Sequence, residues 1–179
     1  MVYYPIDEDS VNPGKFFKPP TGRDCIAREK LFEVLDEGAK LPLTMVTAPS
    51  GFGKSTLVSS WLETVGLDFV WYSLDDSDDS LPKFLGSFIH AARQKYPDFG
   101  TSLIPLLRTP NKLPVESLIS LFQRALSEVP KDLILVLDDL HEIHNDDIHK
   151  LLYEAYRYPP KHLHLVLLAR HQPPWPLRR

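Results

Sequence analysis

A single cysteine, Cys25, stands among the 179 residues, so no intramolecular disulfide is available and stability has to come from a packed core. The opening Met1-Val2-Tyr3-Tyr4-Pro5 has neither the basic segment nor the apolar stretch of a secretory leader, which makes a cytoplasmic location the default expectation. Long apolar runs are missing as well. The stretch from Leu163 to Ala169 is broken by His164 and falls far short of the roughly 18 residues that span a bilayer. Nor is there an excess of positive charge. With 20 Lys and Arg against 24 Asp and Glu, the formal charge is −4, which gives this segment no overall electrostatic reason to follow a nucleic-acid backbone. No direct contact with DNA is expected from it. Internal repeats and low-complexity tracts are also absent.

What remains is an ordinary globular composition, 43% apolar and 25% charged, at a length that suits one domain. Residues 1–22 contain Asn12-Pro13-Gly14 and Lys18-Pro19-Pro20 with no sustained period, and are expected to form an extended or poorly ordered arm. The domain proper is expected over 23–179. Apolar spacing predicts helices over Glu29–Gly38, around Leu57–Val65, around Leu81–Ala92, along Val115–Val129 and around Ile148–Tyr156. Strands are expected at Leu43–Thr47, Phe69–Leu74, Leu133–Leu137 and His162–Leu168. The last two are nearly continuous in apolar residues, the mark of strands buried on both faces. Strands alternating with helices predict an α/β fold in three layers, a mostly parallel sheet with helices on both faces. Trp61, Trp71, Phe84 and Phe88 fall on predicted core faces, and Asp75 to Asp79 reads as a solvated loop.

Between the first strand and the second helix lies Ala48-Pro49-Ser50-Gly51-Phe52-Gly53-Lys54-Ser55. It matches the phosphate-binding loop G-x-x-x-x-G-K-[ST] except that Ala48 replaces the first glycine. Gly51 and Gly53 let the backbone curl so that the N–H groups of Ser50, Gly51, Phe52 and Gly53 converge on phosphates, and the helix N-terminus adds a favourable dipole. Lys54 is expected at the β- and γ-phosphates and Ser55 at Mg²⁺. Thr56 suits either the α-phosphate or a plain helix start. The ligand class is ATP or ADP with Mg²⁺. Asp138 ends a buried strand where a carboxylate would complete the magnesium shell, and Asp139 beside it suits either activation of a water or a loop acid. His141, His144 and His149 lack zinc spacing and are expected on a loop or helix surface.

No Asn-Lys-x-Asp, the guanine-reading motif of GTPases, is present, which favours adenine. A strand between the loop helix and the acidic strand is similar to the additional-strand class of P-loop proteins, which includes the AAA-type ATPases. Further residues resemble the STAND class of signalling ATPases, in particular the MalT-like regulators that carry a LuxR-type DNA-binding domain at their far C-terminus. They are Cys25-Ile-Ala-Arg28, Thr47 to Thr56, Val70-Trp-Tyr-Ser-Leu-Asp75, Leu137-Asp-Asp-Leu-His141, Leu168-Ala-Arg170 and Pro173-Pro-Trp-Pro-Leu177. The resemblance implies that Ile26 and Arg28 pack near adenine and that Arg170 is a sensor arginine near the γ-phosphate. It also implies a continuation beyond Arg179, including a fifth strand and the DNA-binding module. Without that strand, Leu43–Thr47 is expected at an open sheet edge that invites self-association. The function implied is a nucleotide-dependent regulatory switch with slow hydrolysis. An AAA-type remodelling ATPase and a nucleotide-binding module that never hydrolyses are the alternatives.

Overall fold

Alternate residues of a strand point to opposite faces, so a strand whose every position is apolar needs a partner layer on each side. That requirement sets the architecture of the computed structural model, which describes residues 12–22, 28–108 and 113–176. Four parallel strands, β1 (Leu43–Thr47), β2 (Asp68–Ser73), β3 (Leu133–Asp138) and β4 (Leu163–Ala169), lie in the order β1-β4-β3-β2. Every residue of β3 and β4 is buried. Ile134, Val136, Val166 and Leu168 face one side, where helices α1 (Glu29–Gly38) and α2 (Lys54–Val65) supply Leu35, Val58, Trp61 and Leu62. Leu133, Leu135, Leu165 and Leu167 face the other side. There they meet α3 (Leu81–Arg93), the short α4 (Ile104–Leu107), α5 (Val115–Ser127) and α6 (Asp146–Arg157). The three-layer α/β arrangement expected from the sequence is present, and Trp61, Trp71, Phe84 and Phe88 are each at most 1% exposed in its core.

Sheet order is what distributes the strand ends. β4 lies between β1 and β3, so the strand preceding the glycine-containing loop and the strand ending in Asp138 are not neighbours. Thr47 pairs with Ala169 and Ser73 with Asp138, which brings the C-terminal ends of all four strands to one rim of the sheet. β1 is an edge strand among the described residues. A turn and α4 between α3 and α5 carry no clear period in the sequence. They are anchored where Gly100, at φ 67°, passes so close to Ile89 that a β-carbon would stand 2.8 Å from its side chain.

Two segments differ from expectation. Residues 12–22 are docked rather than loose: Pro13–Phe16 form a single 3₁₀ turn that buries Phe16 against Tyr72 and His90. Lys18 reaches Glu63 at 2.7 Å and the Ser59 hydroxyl at 3.1 Å, tying the segment to α2. The acidic stretch after β2 is not simply solvated. Asp75 and Asp78 form a capping box around a 3₁₀ turn, and Lys15 meets both carboxylates at 2.7 Å. The side chain of Asp78 is 1% exposed. Asp79 accepts from the backbone N–H groups of His144 and Asn145, bracing the segment that follows β3. The physical reason is that carboxylates near a strand end satisfy helix and loop donors that would otherwise lose hydrogen bonds on burial.

A buried carboxylate deprived of its cation is strongly destabilising. Lys15→Met is therefore expected to lower unfolding free energy by about 2–4 kcal/mol, read as a fall in denaturant midpoint at constant slope. A loss below about 0.5 kcal/mol would show that the pair contributes no more than a surface contact.

Candidate functional site

The rim at the C-terminal strand ends carries the polar groups. After β1 the chain turns through Ala48–Gly53 into α2, with Gly51 at φ 80° and Gly53 at φ 77°. Both lie in the left-handed region where a side chain is strained, and no atom stands within 4 Å of where their β-carbons would be. The demand for glycine is thus a backbone demand. Gly53 caps α2 without a side-chain hydrogen bond, so the first amides of the helix remain available to an anion. The Lys54 ammonium donates to the carbonyls of Ala48 at 2.8 Å and Pro49 at 3.3 Å, which stretches its stem across the loop. Ser50, Gly51 and Phe52 are exposed along the loop, Phe52 at 63%, and Thr56 is exposed in the first turn of α2.

Asp138 ends β3 and is 4% exposed. Burial pushes its carboxyl up to about 6, with the neighbouring Asp139 charge adding to the rise. The Ser55 hydroxyl, the Asp139 backbone N–H and the Lys54 charge act the other way. The Asp139 N–H donates to Asp138 Oδ1 at 2.9 Å. Ser55, Asp138 and Lys54 are therefore one electrostatic cluster, although 83 positions separate Ser55 from Asp138 in the sequence. These residues fit a hard divalent cation beside phosphate groups. The donors are oxygens, the carboxylate is short of compensating charge, and the loop offers unclaimed backbone N–H groups. Asp139 stands at φ 57°, the single non-glycine with positive φ among the described residues, and its side chain is 47% exposed. Aspartate tolerates this conformation better than most residues, and such conformations concentrate at working sites.

Arg170 follows β4 directly. Its neighbour Ala169 accepts from the Ala48 N–H at 3.3 Å, so the guanidinium starts from beside the loop, and it lies 3.8 Å from Glu142. Arg28 is exposed at the N-cap of α1, and no side-chain bond caps the helix. Ile26 lies outside the described residues. Two further residues, Glu142 and His141, stand at this rim. Glu142 has no motif to mark it. His141 was expected on a surface, yet its side chain is 5% exposed, with Nε2 3.2 Å from Glu142 Oε1 and Nδ1 3.9 Å from Asp139 Oδ1. Neither approach has hydrogen-bond geometry. Burial and the Arg170 charge hold this imidazole below its ordinary value. Its position directly after the acidic pair was the available signal. Among the described residues, no three His, Cys, Asp or Glu side chains converge to hold a metal ion.

The AAA ATPase domain family matches residues 28–168. The chain is 36% identical over 165 residues to the HTH-type transcriptional regulator MalT of Serratia proteamaculans, and 34% identical over 164 residues to that of Cronobacter sakazakii. Each match covers 90% of this chain and 18% of the relative, so the chain spans about a fifth of the length of these curated relatives. Among solved structures, Cdc6p from Pyrobaculum aerophilum superposes with a TM-score of 0.58 at 16% identity, over 90% of this chain and 43% of that one. That likeness concerns the fold alone. Among the described residues no helix is long and apolar enough to cross a membrane.

Asp138 favours its proton in the folded state. Between its ordinary value of 3.8 and about 6 the native chain binds a proton that the unfolded chain does not, so stability rises as pH falls through that window. Asp138→Asn is expected to remove this dependence and to raise the ligand-free stability at pH 7 by about 1–3 kcal/mol. Denaturant titrations at pH 7.5 and 5 check it, and an Asn variant less stable at pH 7.5 would contradict it.

Proposed function

The chain belongs to the AAA ATPase domain family, and on that premise we propose that it is the ATP- and ADP-binding switch domain, and a slow ATPase, of a signal-responsive transcriptional activator. We place it in the STAND class, among MalT-like regulators of the LuxR type. The observation that carries the reading is the convergence of Lys54, Ser55 and Asp138 at one rim of the sheet, with the left-handed Asp139 beside them.

Each residue then has a task. The N–H groups of Ser50, Gly51, Phe52 and Gly53 and the start of α2 bind phosphate oxygens, and Lys54 compensates charge on the β- and γ-phosphates. Ser55 and Asp138 would hold Mg²⁺, which would supply positive charge against the phosphates. Thr56, exposed in the first turn of α2, is assigned to the α-phosphate. Asp139, half exposed and next to the buried acid, orients a water and takes its proton. Arg170 senses the γ-phosphate, so ATP and ADP differ in the contacts available to bias two conformations. Ile26 and Arg28 are assigned to adenine on the strength of the family resemblance.

Domain limits at 1–22 and 23–179, with residues 12–22 packed onto the second unit, belong to the same reading. So does self-association through the open edge of β1. The relatives are HTH-type transcriptional regulators by name. We assign DNA contact to sequence outside these 179 residues, given the net charge of −4.

Lys54→Ala is expected to weaken MgATP and MgADP binding by at least about a hundredfold, since a charge-assisted contact to phosphate from a buried lysine is lost. Calorimetric titration measures it, and unchanged affinity would remove the site. Asp139→Asn keeps a residue that tolerates the left-handed backbone. It is expected to retain nucleotide affinity while single-turnover hydrolysis falls by about 10²- to 10⁴-fold. Hydrolysis at the parent rate would return Asp139 to the status of a loop acid.

A further inference from the structure

Glu142 is a charged group at this rim to which the proposed reaction gives no task. It ends the one-turn helix Leu140–Glu142 that follows Asp139. One of its oxygens, Oε1, has two neighbours, Arg170 at 3.8 Å and His141 Nε2 at 3.2 Å. The His141 ring is enclosed and makes no hydrogen bond, so it acts as a wall that limits where the Glu142 carboxylate can go. The Arg170 side chain is 52% exposed and that of Glu142 38% exposed. A pair this open to water opens at little cost. Arg170 therefore stands beside the start of the loop with a carboxylate already at hand, before any phosphate competes for it.

We propose that Glu142 is the resident counter-ion of Arg170 and sets the discrimination between ATP and ADP. This rests on the reading of Arg170 as the γ-phosphate sensor. With ADP the guanidinium keeps its carboxylate. With ATP the γ-phosphate displaces that carboxylate, so Glu142 lowers affinity for ATP and leaves affinity for ADP alone. Exchange of partners also frees Glu142 at the beginning of a segment that runs through His144 and Asn145 into α6 and is braced on Asp79. The two nucleotide states then differ by one ion pair at the root of that segment, which is the differential contact a two-state switch needs.

The test is calorimetric titration of the 179-residue chain with Mg²⁺ and either ADP or the β,γ-imido analogue of ATP, using the parent, Glu142→Gln, Arg170→Ala and the double variant. Glu142→Gln keeps the shape of the side chain and removes its charge. It is expected to tighten the ATP analogue by about threefold to fivefold, the scale of an exposed ion pair, with ADP affinity unchanged. In the Arg170→Ala background the same change is expected to have no effect on either nucleotide. Equal tightening of both nucleotides, or tightening that survives without Arg170, would show a general repulsion of phosphate and overturn the proposal. No change at all would overturn it equally. A parent chain that binds neither nucleotide, or binds both with Lys54→Ala unchanged, would instead remove the nucleotide-site reading and this inference with it.

Discussion

Parallel pairing with aligned strand ends is the constraint on which the remainder of the structure depends. In a parallel sheet every strand enters from the same side, so all loops that follow strands emerge at one rim. Here the register brings Thr47 level with Ala169 and Ser73 level with Asp138. The loop, the acidic pair and Arg170 come from three different strands, and they meet because those strands are in step. A shift of one residue in either ladder would turn the strand's apolar side chains to the opposite face, against a different set of helices. Burial on both faces is thus what locks the register, and the register is what assembles the rim.

The polar groups at that rim are held at a cost. Asp138 is a buried carboxylate with the Asp139 charge beside it, which is why its proton is held up to about 6. Asp139 occupies a backbone region that few residues other than glycine visit. Gly51 and Gly53 surrender conformational freedom to hold the left-handed backbone of the loop. The hydrophobic layers on either side, with side chains such as Trp61, Trp71, Phe84 and Phe122 at most 1% exposed, offset these costs. Strain gathered at one rim of a well-packed sheet is the usual physical signature of a site built to act on a ligand.

The segment over residues 12–22 adds a second kind of support. Through Phe16 it covers part of the core beside β2, and through Lys18 it is tied to α2, the helix that begins with Lys54. Lys15 neutralises the acidic turn after β2, and Asp79 of that turn braces the chain leading from β3 to α6. Contacts made far from the loop therefore hold the elements on which the site residues ride.

Much of this was legible in the amino-acid order because it depends on short-range pattern. Helical spacing, uninterrupted apolar strands and the Gly-x-Gly-Lys-Ser turn each lie within about a dozen residues, and local sterics and burial decide them. By itself the sequence determined the kinds of elements, the three-layer packing that doubly buried strands require, and the glycine-containing turn between β1 and α2. Tertiary structure alone decided the partnerships: Lys15 with Asp78 across 63 positions, Ser55 with Asp138, Glu142 with Arg170, and the enclosure of His141. No local pattern encodes them, because each depends on which strand ends up beside which. The placement of β4 between β1 and β3 is a property of the whole sheet, settled by the summed burial of both its faces and written in no single segment.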